Sequence, residues 1–303
     1  MTNPLVSIVT PSFNCGRFIQ DAILSVKHQT YPHIEHIIVD GGSTDETLEI
    51  IRRHEGTYNM RWLSEPDNGI YDALNKGFRM AAGDILADLD CDDLYLPWSV
   101  EVAVQTLHVH PLVFGDWFSI GYERQTVNLE VSVPFVQSYY CAVGIIAQPT
   151  VFWRREVAEK IGWFDQHFRL LGDVEYWLRA NSAGFKPHKI SEILAIVRNR
   201  ATSQGLAQHN TELLRLELVE IRHQYAGFLS QLFWRLLPVV QILRRVQLIR
   251  YWTGSPSVWP ALRASKVITM GRQELMNALW LRSRRSKLNI DWDKVLPPNV
   301  SVL

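Results

Sequence analysis

The chain has 303 residues, 47% hydrophobic, 11% aromatic and 20% charged, which excludes a disordered polymer and allows one large globular unit with an appendage. Three widely spaced cysteines, Cys15, Cys91 and Cys141, form no C-x-x-C pair, which argues against a disulfide framework or zinc site and for a reducing, cytoplasmic setting. Basic and acidic residues balance at 31 each but unevenly: 17 against 25 over residues 1–204, then 14 against 6 over 205–303. An acidic body of that kind suits a metal, and a basic tail suits an anionic surface or the body itself.

In chain order, Met1–Pro4 lacks the basic and apolar regions of a signal peptide, and Leu5–Thr10 is too short to be one. Leu5–Thr10 instead reads as a buried strand ended by Pro11. Phe18–Val26 has helical spacing, with Phe18, Ala22, Ile23 and Val26 on one stripe. A second strand, Ile34–Val39, closes on Asp40-Gly41-Gly42; Ser43 and Glu46 then form a capping-box pattern opening a helix to about His54. Arg61–Ser64 is a weak third strand and Ile70–Ala82 a third helix; Ile85–Leu89 is a fourth strand, Pro97–His108 a further helix and Leu112–Phe114 strand-like. Beyond residue 115 the pattern loosens into strand-like pieces at Val127–Val133 and Thr150–Trp153 and helices from near Arg155 and from Val174 to Ala183. From 206 onward the chain reads as helical, broken at Pro238, Gly254-Ser255-Pro256 and Pro260.

Strand–helix alternation with short links predicts an α/β fold, a mostly parallel Rossmann-like sheet flanked by helices. Ligands of such sheets bind beyond the carboxyl ends of the strands. Those loops read Pro11-Ser12-Phe13-Asn14, Asp40 to Asp45, Glu65-Pro66-Asp67-Asn68-Gly69 and Asp90-Cys91-Asp92-Asp93. In the last, three carboxylates in four residues repel unless a cation sits among them, and Mg²⁺ or Mn²⁺ prefers such oxygens together with substrate phosphates. A solvated helix-capping turn is the plain alternative, and the position at the sheet's ligand edge favours the metal. Asp40-Gly41-Gly42 lets backbone approach a ligand closely, or is a simple strand-to-helix turn. No G-x-G-x-x-G follows the first strand and no P-loop is present, so phosphate neutralisation falls to a metal and scattered cations. Asp173 stands where a helix begins, as a base, a cap or both. His33 and His36 are expected on the surface, and His108 and His110 at a helix end, none with metal-ligand spacing.

Taken together, Val6–Asn14, Ile38–Asp45, Asp67–Gly77, Gly83-Asp84, Leu89–Tyr95, Gln148–Arg155 and Asp173–Arg179 resemble the inverting glycosyltransferases of family 2, which have the GT-A fold. The resemblance runs over about residues 5 to 204 and implies a GT-A domain at 1–204; the charge shift and helical pattern set off a basic, largely helical extension at 205–303. It implies that Pro11, Phe13, Asn14, Asp40, Asp67, Lys76 and Asp90 bind the nucleotide, that Asp92 of the D-x-D element ligates a divalent metal, and that Asp173 is the catalytic base. Gln148 and Trp177 are the acceptor-side candidates. The implied partners are a nucleotide-sugar donor, UDP-linked by family habit, and a glycan or lipid-linked acceptor; nothing points to nucleic acid. Two positions depart from the family: Asp88 where an apolar or aromatic residue is usual, and Ala147 where many relatives have histidine. The Q-x-x-R-W signature of processive synthases is absent, which favours single-sugar addition. An inactive nucleotide-sugar-binding scaffold of the same fold is the rival from another class. A sugar nucleotidyltransferase would want a glycine-rich basic loop after the first strand, and Pro11–Asn14 is not one.

In the tail, Gln224–Trp234 and Leu236–Leu243 are uncharged but fall short of the ~20 apolar residues a membrane span needs. Their Leu, Phe and Trp beside Arg235 and Arg244-Arg245 suit a helix lying peripherally on the inner face of a membrane, or one packed on the body or a second subunit.

Overall fold

The computed structural model describes residues 3–121, 126–130, 132, 134–137, 140–141, 146–199, 211–226 and 268–270. Four apolar runs form β1 (Val6–Ser12), β2 (Ile34–Asp40), β3 (Met60–Ser64) and β4 (Ile85–Asp88), parallel in the order β4-β1-β2-β3. Their crossovers are α1 (Ile19–Lys27), α2 (Thr47–His54) and α3 (Ile70–Met80). Side chains alternate across the sheet, so Val6 and Ile8 pack with Ala22 and Val26 of α1, while Val9, Ile37 and Val39 pack with Leu74 and Phe78 of α3. Helices thus cover both faces, and the loops after β1, β2 and β4 emerge together at one sheet edge.

The other half of the sheet is mixed. β4 pairs antiparallel with β8 (Phe152–Arg154), which pairs with β6 (Leu112–Gly121); β6 continues to β7 (Thr126–Glu130) and parallel to β9 (His188–Asn199). β5 (Leu94–Tyr95) joins β9, and β10 (Ile268–Met270) joins β7. Strand β6 outruns the expected Leu112–Phe114 because Gly115-Asp116 is a bulge, marked by a register shift against β9, and not a stop. The buried Asp116 there accepts the Ser132 N–H at 2.8 Å and pairs with Lys189 at 3.2 Å. Helices α4 (Ser99–Leu107), α5 (Arg155–Ile161), α6 (Gly172–Ser182) and α7 (Thr211–Tyr225) complete the described elements.

Two local expectations are corrected. The Ser43–Glu46 capping box does not form: Ser43 Oγ donates to Asp40, and Asp45 instead accepts the Thr47 N–H at 3.0 Å where α2 begins. Ser43 Oγ gives its proton to the buried Asp40 and accepts the Asn14 N–H at 2.7 Å, so its oxygen is engaged by the β1 loop and not by the helix end. His36 is not a surface residue; it is fully buried in β2, with its ring between Thr10 Oγ1 at 2.9 Å and the Tyr58 hydroxyl at 2.5 Å. Burial pushes its pKa down to about 3, so it is a neutral core group.

The described part of the tail lies on the body. Ile221 is fully buried, and the Tyr225 hydroxyl donates to Glu175 at 2.5 Å. Glu217, 4% exposed, accepts the backbone N–H groups of Arg169 (2.8 Å), Leu170 (3.0 Å) and Leu171 (2.9 Å). Leu171 is the residue preceding α6, so this carboxylate also sits at a favourable helix-dipole end. Glu217→Ala is expected to destabilise the fold by about 2–4 kcal/mol in urea titrations, because three amides lose a charged acceptor at once. Glu217→Gln, which keeps one carbonyl oxygen, should cost about half as much. The uncharged stretches beyond Ala226 lie outside the described residues, apart from β10, a strand where the sequence reads as helix. Among the described residues no helix is long and apolar enough to cross a membrane.

Candidate active site

The strand-end loops enclose a cleft of about 810 Å³. Its wall on the β1 side holds Pro11, Phe13 and Asn14. Phe13 is 62% exposed, a large apolar ring held in solvent at the mouth. Asn14 takes a left-handed backbone (φ 47°), which its short polar side chain tolerates. Its Oδ1 accepts the Thr44 N–H at 2.9 Å and its own N–H donates to Ser43 Oγ at 2.7 Å, locking the β1 loop to the β2 loop.

Asp40 lies beneath that junction, fully buried and outside the cleft lining. Its carboxylate collects the N–H groups of Gly42 and Ser43 and the hydroxyls of Ser43 and Ser64, so it fixes the loops after β2 and β3. Asp67 does line the cleft and accepts the Gly69 N–H at 2.9 Å. It lies so close over Gly41 that a Cβ there would stand 2.5 Å from its Oδ2, which explains the glycine. Lys76 is not in the cleft wall; its ammonium donates to Pro66 O at 2.9 Å and pairs with Glu65 at 2.9 Å and Asp72 at 3.5 Å, bracing the Asp67 loop from behind.

After β4, ligand atoms of Asp90, Asp92 and Asp93 all lie within 4.8 Å of one another. Oxygens on opposite sides of a hard divalent ion, each at ~2.1 Å, would be about 4.2 Å apart, so the cluster fits one such ion after a small contraction. Asp93 is buried and accepts the Arg198 N–H at 2.8 Å; burial, with the charges of Asp92 and Asp90, drives its pKa well up. Asp88, the departure noted in the sequence, is fully buried, accepts from the Gln148 side-chain amide, and leaves Oδ1 without a hydrogen-bond partner among the described residues. Burial, then the Asp90 charge, holds its pKa well above the ordinary range. Gln148 reaches the cleft from a 3₁₀ turn, Gln148–Thr150, with its amide committed to Asp88.

Asp173, the second residue of α6, projects half-buried into the same cleft. Burial raises its pKa to about 6. The Tyr71 hydroxyl donates to Asp173 Oδ1 at 3.3 Å and accepts the Asp173 N–H at 3.2 Å. Gly172 permits this, since a Cβ there would meet the Tyr71 ring at 2.7 Å. Tyr71 carries only a weak signal in the sequence, a hydroxyl on the first turn of α3. Arg169 and Arg198 also line the cleft, with no motif in the sequence to mark them.

Trp177 is corrected. It is fully buried, with ring centroids 5.2 Å from Trp153 and 6.1 Å from Phe164, and is absent from the cleft lining. Four residues after Asp173 on one helix face, it falls one turn deeper into the core.

Comparison with known proteins adds a family and a fold. The model of glycosyl transferase family 2 matches residues 7–160. TuaG of Bacillus subtilis (strain 168), a glycosyltransferase named for teichuronic acid biosynthesis, is 31% identical over 207 residues, covering 65% of this chain and 81% of TuaG. Among solved structures, S. aureus TarS 1-349 in complex with UDP-GlcNAc superposes with a TM-score of 0.57 at 18% identity, over 72% of this chain and 66% of that one. The mannosyltransferase PcManGT from Pyrobaculum calidifontis, in complex with GDP-Man and Mn²⁺, gives 0.54 at 18% identity over 84% of each chain. At these identities the structural likeness concerns the fold alone.

Proposed function

The chain belongs to glycosyl transferase family 2, and we propose that it moves one sugar from a nucleotide diphosphate donor, UDP-linked, onto a hydroxyl of a glycan or lipid-linked acceptor with inversion. One observation carries this reading: a half-buried carboxylate with a pKa of about 6, braced by a tyrosine, shares one cleft with a three-aspartate cluster and an exposed aromatic ring. Asp173 takes the proton of the acceptor hydroxyl; the acceptor oxygen bonds the anomeric carbon; the bond from that carbon to phosphate breaks, and its electrons leave with the nucleoside diphosphate. Phe13 stacks on the base, Pro11, Asn14 and Asp67 line the nucleoside pocket, and Asp40 holds their loops in place. Asp90, Asp92 and Asp93 would hold Mn²⁺ or Mg²⁺, which supplies charge stabilisation to the departing diphosphate. A role in cell-surface polysaccharide synthesis at the inner face of a membrane is supported by the teichuronic acid relative and the basic tail.

The test is nucleotide release from a panel of nucleotide sugars, with Mn²⁺ or Mg²⁺ and with chelator. Metal-dependent release from one donor, even slowly to water, is expected; no binding of any nucleotide would sink the donor-site assignment.

A pH effect follows from Tyr71. Because Asp173 must be ionised to accept a proton, kcat/KM should rise as pH passes through about 6. The Tyr71 hydroxyl favours the ionised form, so Tyr71→Phe should move that limb to higher pH by about one unit, read from kcat/KM between pH 5 and 9.

A further inference from the structure

Beside the large cleft lies a smaller pocket of about 250 Å³. Gly69, Ile70, Tyr71, Arg169 and Leu170 line both, forming the partition between them. Pro11, Phe13, Asn14 and the aspartate cluster line only the large cleft; Asp72, Gln166, Phe168 and Leu213 line only the small pocket. We propose that the small pocket binds the acceptor, as a single pyranose unit of a glycan whose free hydroxyl passes over Tyr71 to Asp173. The proposal rests on the transferase reading of the cleft and adds the acceptor's seat and ligand class.

Position is the first argument. Tyr71 forms part of the partition, and its hydroxyl touches the Asp173 carboxylate at 3.3 Å, so the base, which lines the large cleft, stands directly beside that partition. A sugar in the small pocket would reach a donor in the large cleft across Tyr71, beside the base. In-line displacement needs the acceptor oxygen to arrive at the anomeric carbon opposite the bond to phosphate, and separate seats for the two sugars allow that approach. Size is the second. The volume falls below the ~300–1,000 Å³ of sites for drug-sized ligands, which suits one ring and not an extended chain.

Chemistry is the third argument. A pyranose has a rim of hydroxyls and two C–H faces. The pocket offers apolar surface from Ile70 and Leu213, with the largely buried Phe168 behind them, and polar groups of both senses: the Gln166 amide, the Arg169 guanidinium and the edge of the mostly buried Asp72 carboxylate. Asp72 is oriented for this by the Asn68 N–H at 3.0 Å and by Gln166 Nε2 at 3.2 Å. Gln166 and Arg169 are exposed, so a ligand's hydroxyls can reach them without burying a charge. The outer wall, Leu213, comes from α7, the same helix whose Glu217 holds the Arg169–Leu171 backbone. The tail helix therefore shapes the acceptor seat.

The test uses the full chain with Mg²⁺ and UDP, and as probes a set of methyl α- and β-glycosides of neutral hexoses, N-acetylhexosamines and hexuronic acids. Saturation-transfer NMR reads glycoside binding, and calorimetry reads UDP binding in the same samples. Wild type should show saturation transfer to at least one glycoside, reduced severalfold in Leu213→Trp, which fills the pocket from its exposed side, and in the milder Gln166→Ala. UDP affinity should stay unchanged in both. Undiminished transfer in Leu213→Trp, or UDP binding with no glycoside bound, would overturn the acceptor seat and leave the donor site standing. Failure of wild type to bind UDP would instead sink the transferase reading beneath it.

Discussion

Asp173→Asn is expected to lower the transfer rate by ~10²–10⁴-fold, the range a positioned general base contributes. Asparagine has the same shape and keeps a carbonyl oxygen for the Tyr71 hydroxyl, so the local hydrogen bonding survives. What it lacks is basicity. The native carboxylate, raised to about 6 by burial, is mostly ionised at neutral pH yet basic enough to take a hydroxyl proton in the transition state. Nucleotide affinity should stay near wild type, because the Phe13, Asn14 and Asp67 wall is untouched. Initial rates of nucleotide release and UDP calorimetry check the two halves of this statement separately. Activity within a few-fold of wild type would mean that another group takes the proton.

Asp92→Ala should cut turnover by roughly 10³-fold or more, since Lewis-acid stabilisation is worth several kcal/mol and each 1.4 kcal/mol is tenfold. A thermodynamic readout with a definite sign accompanies it. Three carboxylates within 4.8 Å repel in the absence of a cation, and the raised pKa of buried Asp93 reflects burial together with that repulsion. Removing one acid relieves it, so in EDTA the variant should melt no lower than wild type. Adding Mn²⁺ should stabilise wild type by about 2.7 kcal/mol at a hundredfold excess over Kd, and the variant hardly at all. Equal stabilisation of both proteins would place the ion elsewhere.

The parts of this site that were legible in the sequence are those built from consecutive residues. Fully buried parallel strands read as unbroken apolar runs, so the ends of β1, β2 and β4, and the acids clustered there, could be placed before any coordinates. What could not be read depends on partners distant in the chain. Tyr71 meets Asp173 across 102 residues, and Glu217 reaches Arg169 across 48. Trp177, an acceptor-side candidate by resemblance, lies in the core because a motif fixes a residue's place on the helix and not its depth. The capping box failed for a related reason: Ser43 Oγ had a competing donor, the Asn14 N–H, that only the folded loops bring near. Gly115-Asp116 looked like a strand end because a bulge and a stop use the same residues.

The grip of Glu217 on the loop before Asp173 makes that anchor independent of the loop's side chains. It holds main-chain N–H groups, not side chains, at Arg169, Leu170 and Leu171. Any residue except proline offers the same N–H, so the anchor is indifferent to which side chains those positions carry. Arg169 and Leu170 line the cleft, and they can therefore be exchanged while the lead into the base helix stays tied down. On the proposed reading of the cleft, exchanging the side chains at 169 and 170 should change substrate contacts while the backbone anchor that positions Asp173 stays in place.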